Sequence, residues 1–208
     1  MKEPSLLALF ALLVGLPGIA LADIGPVSPT PADLWDLPHA YVFAWRFDNA
    51  INLGQEVIGS ASLTFNNLRN WDSSANQLSV WLLDTATNSG TRWVTDADSI
   101  SDYFLNLPAS GVLVPADTAK HELRTYQNLS TTAQTRTIDF DQAALTALNN
   151  YIANGNNFAL GFDPDCHFYN TGISFQATTV PVPEPSSVAL LGTFLLASLG
   201  AQRRRFHA

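Results

Sequence analysis

From about His39 to Ala177 the chain alternates apolar and polar residues in short bursts, broken by Asn, Asp, Ser and Gly. Tyr41–Phe47 is aromatic and β-branched with partial alternation. Ser60–Phe65 sets Ala61, Leu63 and Phe65 on one face, and Gln77–Leu83 does the same with Leu78, Val80 and Leu82. A period of two marks half-buried strands. Runs at Gly111–Val114, Thr135–Asp139, Asn157–Phe162 and Gly172–Ala177 predict further strands. Asn66-Asn67, the stretch from Asn70 to Asn76 and Thr87–Gly90 carry turn chemistry. Many short strands with polar turns predict a mainly β fold, a β-sandwich over residues 39–180.

One segment changes period. Gln142–Ala153 carries Ala144, Leu145, Leu148, Tyr151 and Ile152 on a single helical stripe, with Asp141 placed as N-cap and Gly155 as the terminating glycine. This predicts one short helix, about 142–153, whose apolar face packs across an end of the sandwich or meets a partner.

The two ends of the chain follow a different pattern. Lys2 precedes an almost purely apolar run from Leu6 to Leu16, and Pro17-Gly18 then breaks it. Ala20-Leu21-Ala22 has small residues where a signal peptidase cuts, so residues 1–22 read as a secretory signal peptide with the mature chain starting at Asp23. An uncleaved signal anchor is the alternative. Asp23 to Pro38 holds four prolines and no sustained pattern, and reads as an extended lead-in.

At the other end, Pro183-Glu184-Pro185 precedes the uncharged run Val188–Ala201 and then Arg203-Arg204-Arg205. As a helix that run reaches roughly 21 Å at ~1.5 Å per residue. A bilayer core is about 30 Å thick, so the run fits either a short membrane anchor at about 187–202 or a core helix. The arginines favour an anchor with its C-terminal flank in the cytoplasm, and their stems can lengthen a short span. The prolines hold the knuckle extended. This order resembles the PEP-CTERM sorting signal of Gram-negative bacteria, which an exosortase membrane protease recognises and removes. The resemblance covers residues 181–208. It implies export, a transient inner-membrane intermediate, processing near Pro183, Glu184 and Pro185, and a role at the cell surface or in an exopolysaccharide or biofilm matrix.

Charge narrows the partners. Of 18 acidic residues all but Glu3 and Glu184 fall between the two end segments, and of 10 basic residues all but Lys2 and the three terminal arginines, so this stretch carries about −10. Nucleic acid and anionic membrane surfaces call for basic patches, and this balance argues against both. Cys166 is the one cysteine, so no internal disulfide is available to an exported chain; it reads as a small buried residue, with a free reactive thiol or an intermolecular bridge as the alternatives.

A second resemblance lies in the middle of the chain. The order of Ile138–Asp141, a short helix, Asn154–Asn157 and Phe158–Phe162 looks like the closing part of DNRLRE-type jelly-roll domains. These are extracellular sandwiches related in shape to carbohydrate-binding modules. The resemblance spans about Ser60 to Ala177 and implies a jelly-roll-like sandwich.

Three kinds of chemistry are candidates. Asp163 and Asp165 flank Pro164, and with Asn170 they offer the oxygen ligands that Ca²⁺ takes; the competing reading is a strand-end turn whose carboxylates cap backbone N–H groups. Zinc from Cys166 and His167 lacks ligands, since between the two end segments only His39 and His121 accompany them. Trp71, in a polar loop, and Trp81, between Val80 and Leu82, are candidates to face solvent and stack on sugar rings, with Trp93, Phe168 and Tyr169 beside them as further aromatics. Hydrolysis has only acid pairs such as Asp163 with Asp165, or Asp96 with Asp98. The chain has no G-x-S-x-G, H-E-x-x-H or phosphate-loop motif. The reading is therefore a non-enzymatic exported protein, with a carbohydrate-binding module or a small glycan hydrolase as alternatives.

Overall fold

A computed structural model describes residues 23–48, 56–96 and 101–182. Two five-stranded antiparallel sheets face each other. The first runs β1 (Asp23–Val27), β10 (Gly172–Pro181), β3 (Glu56–Asn70) and β7 (Gln134–Asp139), with the two-residue β9 (Phe168–Tyr169) also on β3. The second runs β5 (Gly90–Thr95), β2 (Tyr41–Asp48), β8 (Asn157–Pro164), β4 (Gln77–Leu83) and β6 (Lys120–Gln127). The expected β-sandwich is therefore present, although Gly111–Val114 is not a strand. Leu113 and Val114 are instead pinned, fully buried, on the outer face of the second sheet.

The alternation in the sequence sets the layers. Leu78, Val80 and Leu82 point between the sheets into the main core, with Phe43, Phe65, Phe162, Phe168 and Phe175. The opposite residues of the same strands, Trp81 and Leu83, join Val42, Ala44 and Ala159 in a second cluster. The segment from Ser101 to Ala119 covers it, with Phe104 as its central peg. Gly161 makes room for that peg, because a Cβ there would lie 2.6 Å from the Phe104 ring. Strands β4 and β8 are thus buried on both faces, which is why they read as nearly continuous apolar runs.

The helix α1 runs Gln142–Gly155 and buries Ala144, Leu148, Tyr151 and Ile152 against the core. Asp141 caps it by accepting from Ala144 N at 2.8 Å. Gly155 remains helical; Asn156 takes the left-handed position at φ 52°, a conformation asparagine tolerates. Asn149 ties the helix to β3, accepting from Ile58 N at 2.7 Å and donating to Ile58 O at 3.0 Å.

The proline-rich lead-in is more structured than its composition implies. Asp23–Val27 pairs with β10, Asp23 lying opposite Thr178 and Val27 opposite Phe175. Ala32 O then accepts from Ile173 N at 2.8 Å, so the lead-in runs the length of β10 and ends beside Gly172.

Candidate functional site

Residues 34–37 are the most unusual stretch of backbone among those described. Leu34, Trp35, Asp36 and Leu37 all have positive φ, at 51°, 55°, 62° and 44°. For L-residues the left-handed conformation costs roughly 1–2 kcal/mol each, and it persists only where the surroundings over-determine it. Here they do. Leu34 and Leu37 are fully buried pegs. Asp33 accepts from Trp35 N at 3.1 Å, and Leu37 N donates to Leu34 O at 3.1 Å. From across the fold, Asn170 Nδ2 donates to Asp33 O at 2.8 Å and Asn170 N donates to Asp36 Oδ1 at 3.2 Å. Asn170 is itself fixed by Gly172, whose φ of 147° aims its N–H at Asn170 Oδ1, 3.0 Å away.

The turn pushes Trp35 outward, 50% exposed, against the side of Phe43 at 6.2 Å between ring centroids. Opposite it stands Trp93 on the edge strand β5, 48% exposed and directly across from Phe43 in the ladder. Tyr41 meets Trp93 edge-on at 4.7 Å. These rings and Pro38 line a cleft of about 280 Å³. Its far wall is the left-handed turn rather than a strand of the other sheet. The volume lies just below the usual range of ligand sites, about 300–1,000 Å³, and suits one ring-sized group. Two half-exposed indoles with a tyrosine between them present apolar faces edged by an N–H or O–H, which is the chemistry that packs the C–H face of a sugar.

A second, polar cleft of about 520 Å³ lies on the other face of β5, lined among others by Asp96, Asp102, Tyr103, Asn106 and Val112. Asp102 Oδ2 accepts from Asn106 Nδ2 at 2.8 Å. Burial, and then the carboxylates of Asp96 and Asp163, push the Tyr103 phenol up, so it stays a proton donor.

The residues expected to carry chemistry fare differently. Trp71 is 56% exposed, as its polar loop implied. Trp81 is 6% exposed and donates Nε1–H to Ser79 Oγ at 3.0 Å. Its alternation with Leu82 was legible, but the face it occupies is covered by Phe104, so it stacks on no ligand. The three residues expected to offer oxygens to calcium are each engaged with the backbone. Asp163 Oδ2 accepts from Tyr103 N at 2.9 Å, Asp165 Oδ1 accepts from Gln77 N at 2.6 Å, and Asn170 holds the turn. Each caps a different backbone group, and among the described residues no three Asp, Glu, His or Cys side chains gather to hold a metal ion. Cys166 is half-buried. Ala20, Ala22, Pro183, Glu184, Pro185, Arg203, Arg204, Arg205 and Asp98 lie outside the described residues. Among those described, no helix is long and apolar enough to cross a membrane.

Trp35 and Tyr41 were the residues the sequence did not single out. The signal was Leu34 and Leu37 bracketing Trp35 just before Pro38, an apolar knot inside a stretch otherwise rich in proline. No family model, curated protein or solved structure matches the chain.

Proposed function

We propose that this is an exported, non-enzymatic protein of the cell surface or extracellular matrix that holds polysaccharide in the cleft of Trp35, Tyr41 and Trp93. The observation that carries the binding reading is the pair of half-exposed indoles, Trp35 set by a strained, clamped turn and Trp93 by the edge strand β5. Exposed aromatic surface of this size is costly to keep, and a fold that spends left-handed backbone on it is built around it.

Export rests on the two end segments. In this reading signal peptidase cuts after Ala22, and an exosortase releases the chain near Pro183-Glu184-Pro185 from its transient place in the inner membrane. Strand order supports the finer jelly-roll reading. With β5 and β9 set aside, β1-β10-β3-β7 faces β2-β8-β4-β6, so the chain crosses between sheets at nearly every step, as two interlocked Greek keys do. The segment between β4 and β6 is then an insertion, and it supplies Trp93.

Two measurements test the proposal. Intact mass of the protein from its host's envelope and medium is expected to run from Asp23 to near Pro183; retention of Arg203–Arg205 would sink the sorting reading. Retention of the purified protein on insoluble polysaccharide is expected to vanish in Trp35→Ala and in Trp93→Ala. Undiminished retention in both variants would sink the cleft.

A further inference from the structure

We propose that Arg69, Tyr169 and Trp71 form a second contact for the same polymer, one that takes a sugar bearing a carboxylate. The inference rests on the cleft reading and adds the class of ligand.

One short segment joins the two places. Phe168 N donates to Leu37 O at 3.3 Å, tying it to the Trp35 turn, and Asn170 clamps that turn from the next strand end. On its other side the same segment pairs with β3, Tyr169 opposite Arg69 and Phe168 opposite Asn70. His167 O accepts from Trp71 N at 3.1 Å. Trp35 and Trp71 therefore flank His167–Asn170 at one end of the sandwich.

Trp71 is exposed without being loosely held. Asn70, 1% exposed, donates to Ser74 O at 3.0 Å and accepts from Asn76 Nδ2 at 2.9 Å. Asp72 accepts from Ser74 N and from Asn76 Nδ2, both at 2.9 Å. The indole is thus displayed on a braced loop, as Trp35 is on a clamped turn.

Charge selects the ligand. The Arg69 guanidinium lies 4.9 Å from the Tyr169 ring centre, and that ring lies 4.6 Å from His167. Among the described residues, Arg69 has no carboxylate within ion-pair distance; Arg46 has Asp48 at 2.7 Å. A guanidinium held over an aromatic ring can still offer its N–H fork for a two-point bond to a carboxylate. Charge beyond about 8 Å is screened at physiological salt; the nearer carboxylates are Asp72, which accepts from Ser74 N and Asn76 Nδ2, and Asp36, which accepts from Asn170 N, and Arg69 is the cation set among them. Two aromatic contacts separated by the His167–Asn170 segment require a chain rather than a single ring. Engaging the second then adds affinity through high effective concentration.

The test is calorimetric titration of the mature protein with oligogalacturonates and with neutral oligoglucans, each in a series of increasing length. The proposal expects oligogalacturonate affinity to climb with length and fall about tenfold or more in Arg69→Gln and in Trp71→Ala, with the shortest members unaffected. Both substitutions sit on exposed side chains, and unchanged melting temperatures check that they fold. Equal affinity for the two series overturns the acidic assignment. Binding lost in Trp35→Ala but untouched in Arg69→Gln and Trp71→Ala leaves the cleft and removes the second contact. No binding of any probe removes both.

Discussion

Asn170 and Asp33 stand 137 residues apart in sequence, and the 2.8 Å bond from the Asn170 amide to the Asp33 carbonyl closes the turn that displays Trp35. Asn170→Ala deletes this bond and the Oδ1 acceptor for Gly172 N together. Leaving buried groups unpaired costs about 1–3 kcal/mol apiece. The variant is expected to lose that much stability in urea unfolding and to lose polysaccharide retention, with a changed tryptophan fluorescence. Retention at the level of the parent would mean that the turn holds without its clamp.

Trp35→Gly separates binding from folding. Glycine adopts positive φ without the roughly 1–2 kcal/mol that a left-handed L-residue costs, and this relief offsets the lost contact with Phe43. The expected result is a melting temperature no lower than the parent's with retention abolished. A large drop in melting temperature would show that Trp35 is there to hold the fold.

Trp81→Ala should behave in the opposite way. Emptying a site among Phe104, Leu83 and Ala159 costs about 3–5 kcal/mol, read by chemical denaturation. Among molecules still folded, retention is expected to be unchanged.

The contrast between Trp81 and Trp35 shows how far the sequence reaches. Alternation fixed which residues of β4 share a face, because the pleat imposes it. What lies above that face depends on Phe104 and Leu113, placed by a long insertion that has no period to read. The helix and its cap at Asp141 were legible because both are local. The turn was not, since nothing in four ordinary L-residues announces left-handed backbone, and its clamp comes from Asn170. That asparagine looked like a metal ligand only because Asp163 and Asp165 are near it in sequence.

Acid pH should weaken the fold through His167. Burial lowers its pKa from the ordinary 6.5, with the Asp36 carboxylate opposing and His39 adding to the shift. A lowered folded value means the unfolded chain takes the proton first. Stability is therefore lost as pH falls from 6.5 toward the folded value, and is unaffected by this group above it. His167→Gln is expected to flatten that part of the profile of urea midpoint against pH.

Asp165 has the opposite sign. Burial raises its pKa from the ordinary 3.8, against the hydrogen bond from Gln77 N. Keeping it ionised at neutral pH costs the folded state, and that cost is relieved as pH falls through the raised value. Asp165→Asn retains an oxygen acceptor for Gln77 N without the charge. It is expected to melt higher than the parent at neutral pH, with the advantage shrinking in acid. Loss of stability in this variant, reproduced in the parent by a chelator, would restore the calcium reading.

Strand β1 begins at Asp23 against Thr178, and β10 ends at Pro181, so chain arriving and chain departing share one pole of the sandwich. The Trp35 turn sits by Gly172 at the other pole, about 30 Å away at ~3.3 Å per residue along β10. A body tethered by either terminus would hold its aromatic end outward, one domain length from the point of attachment. In the export reading, cutting either tether would free the body to diffuse and leave the Trp35 cleft, at the far pole, untouched.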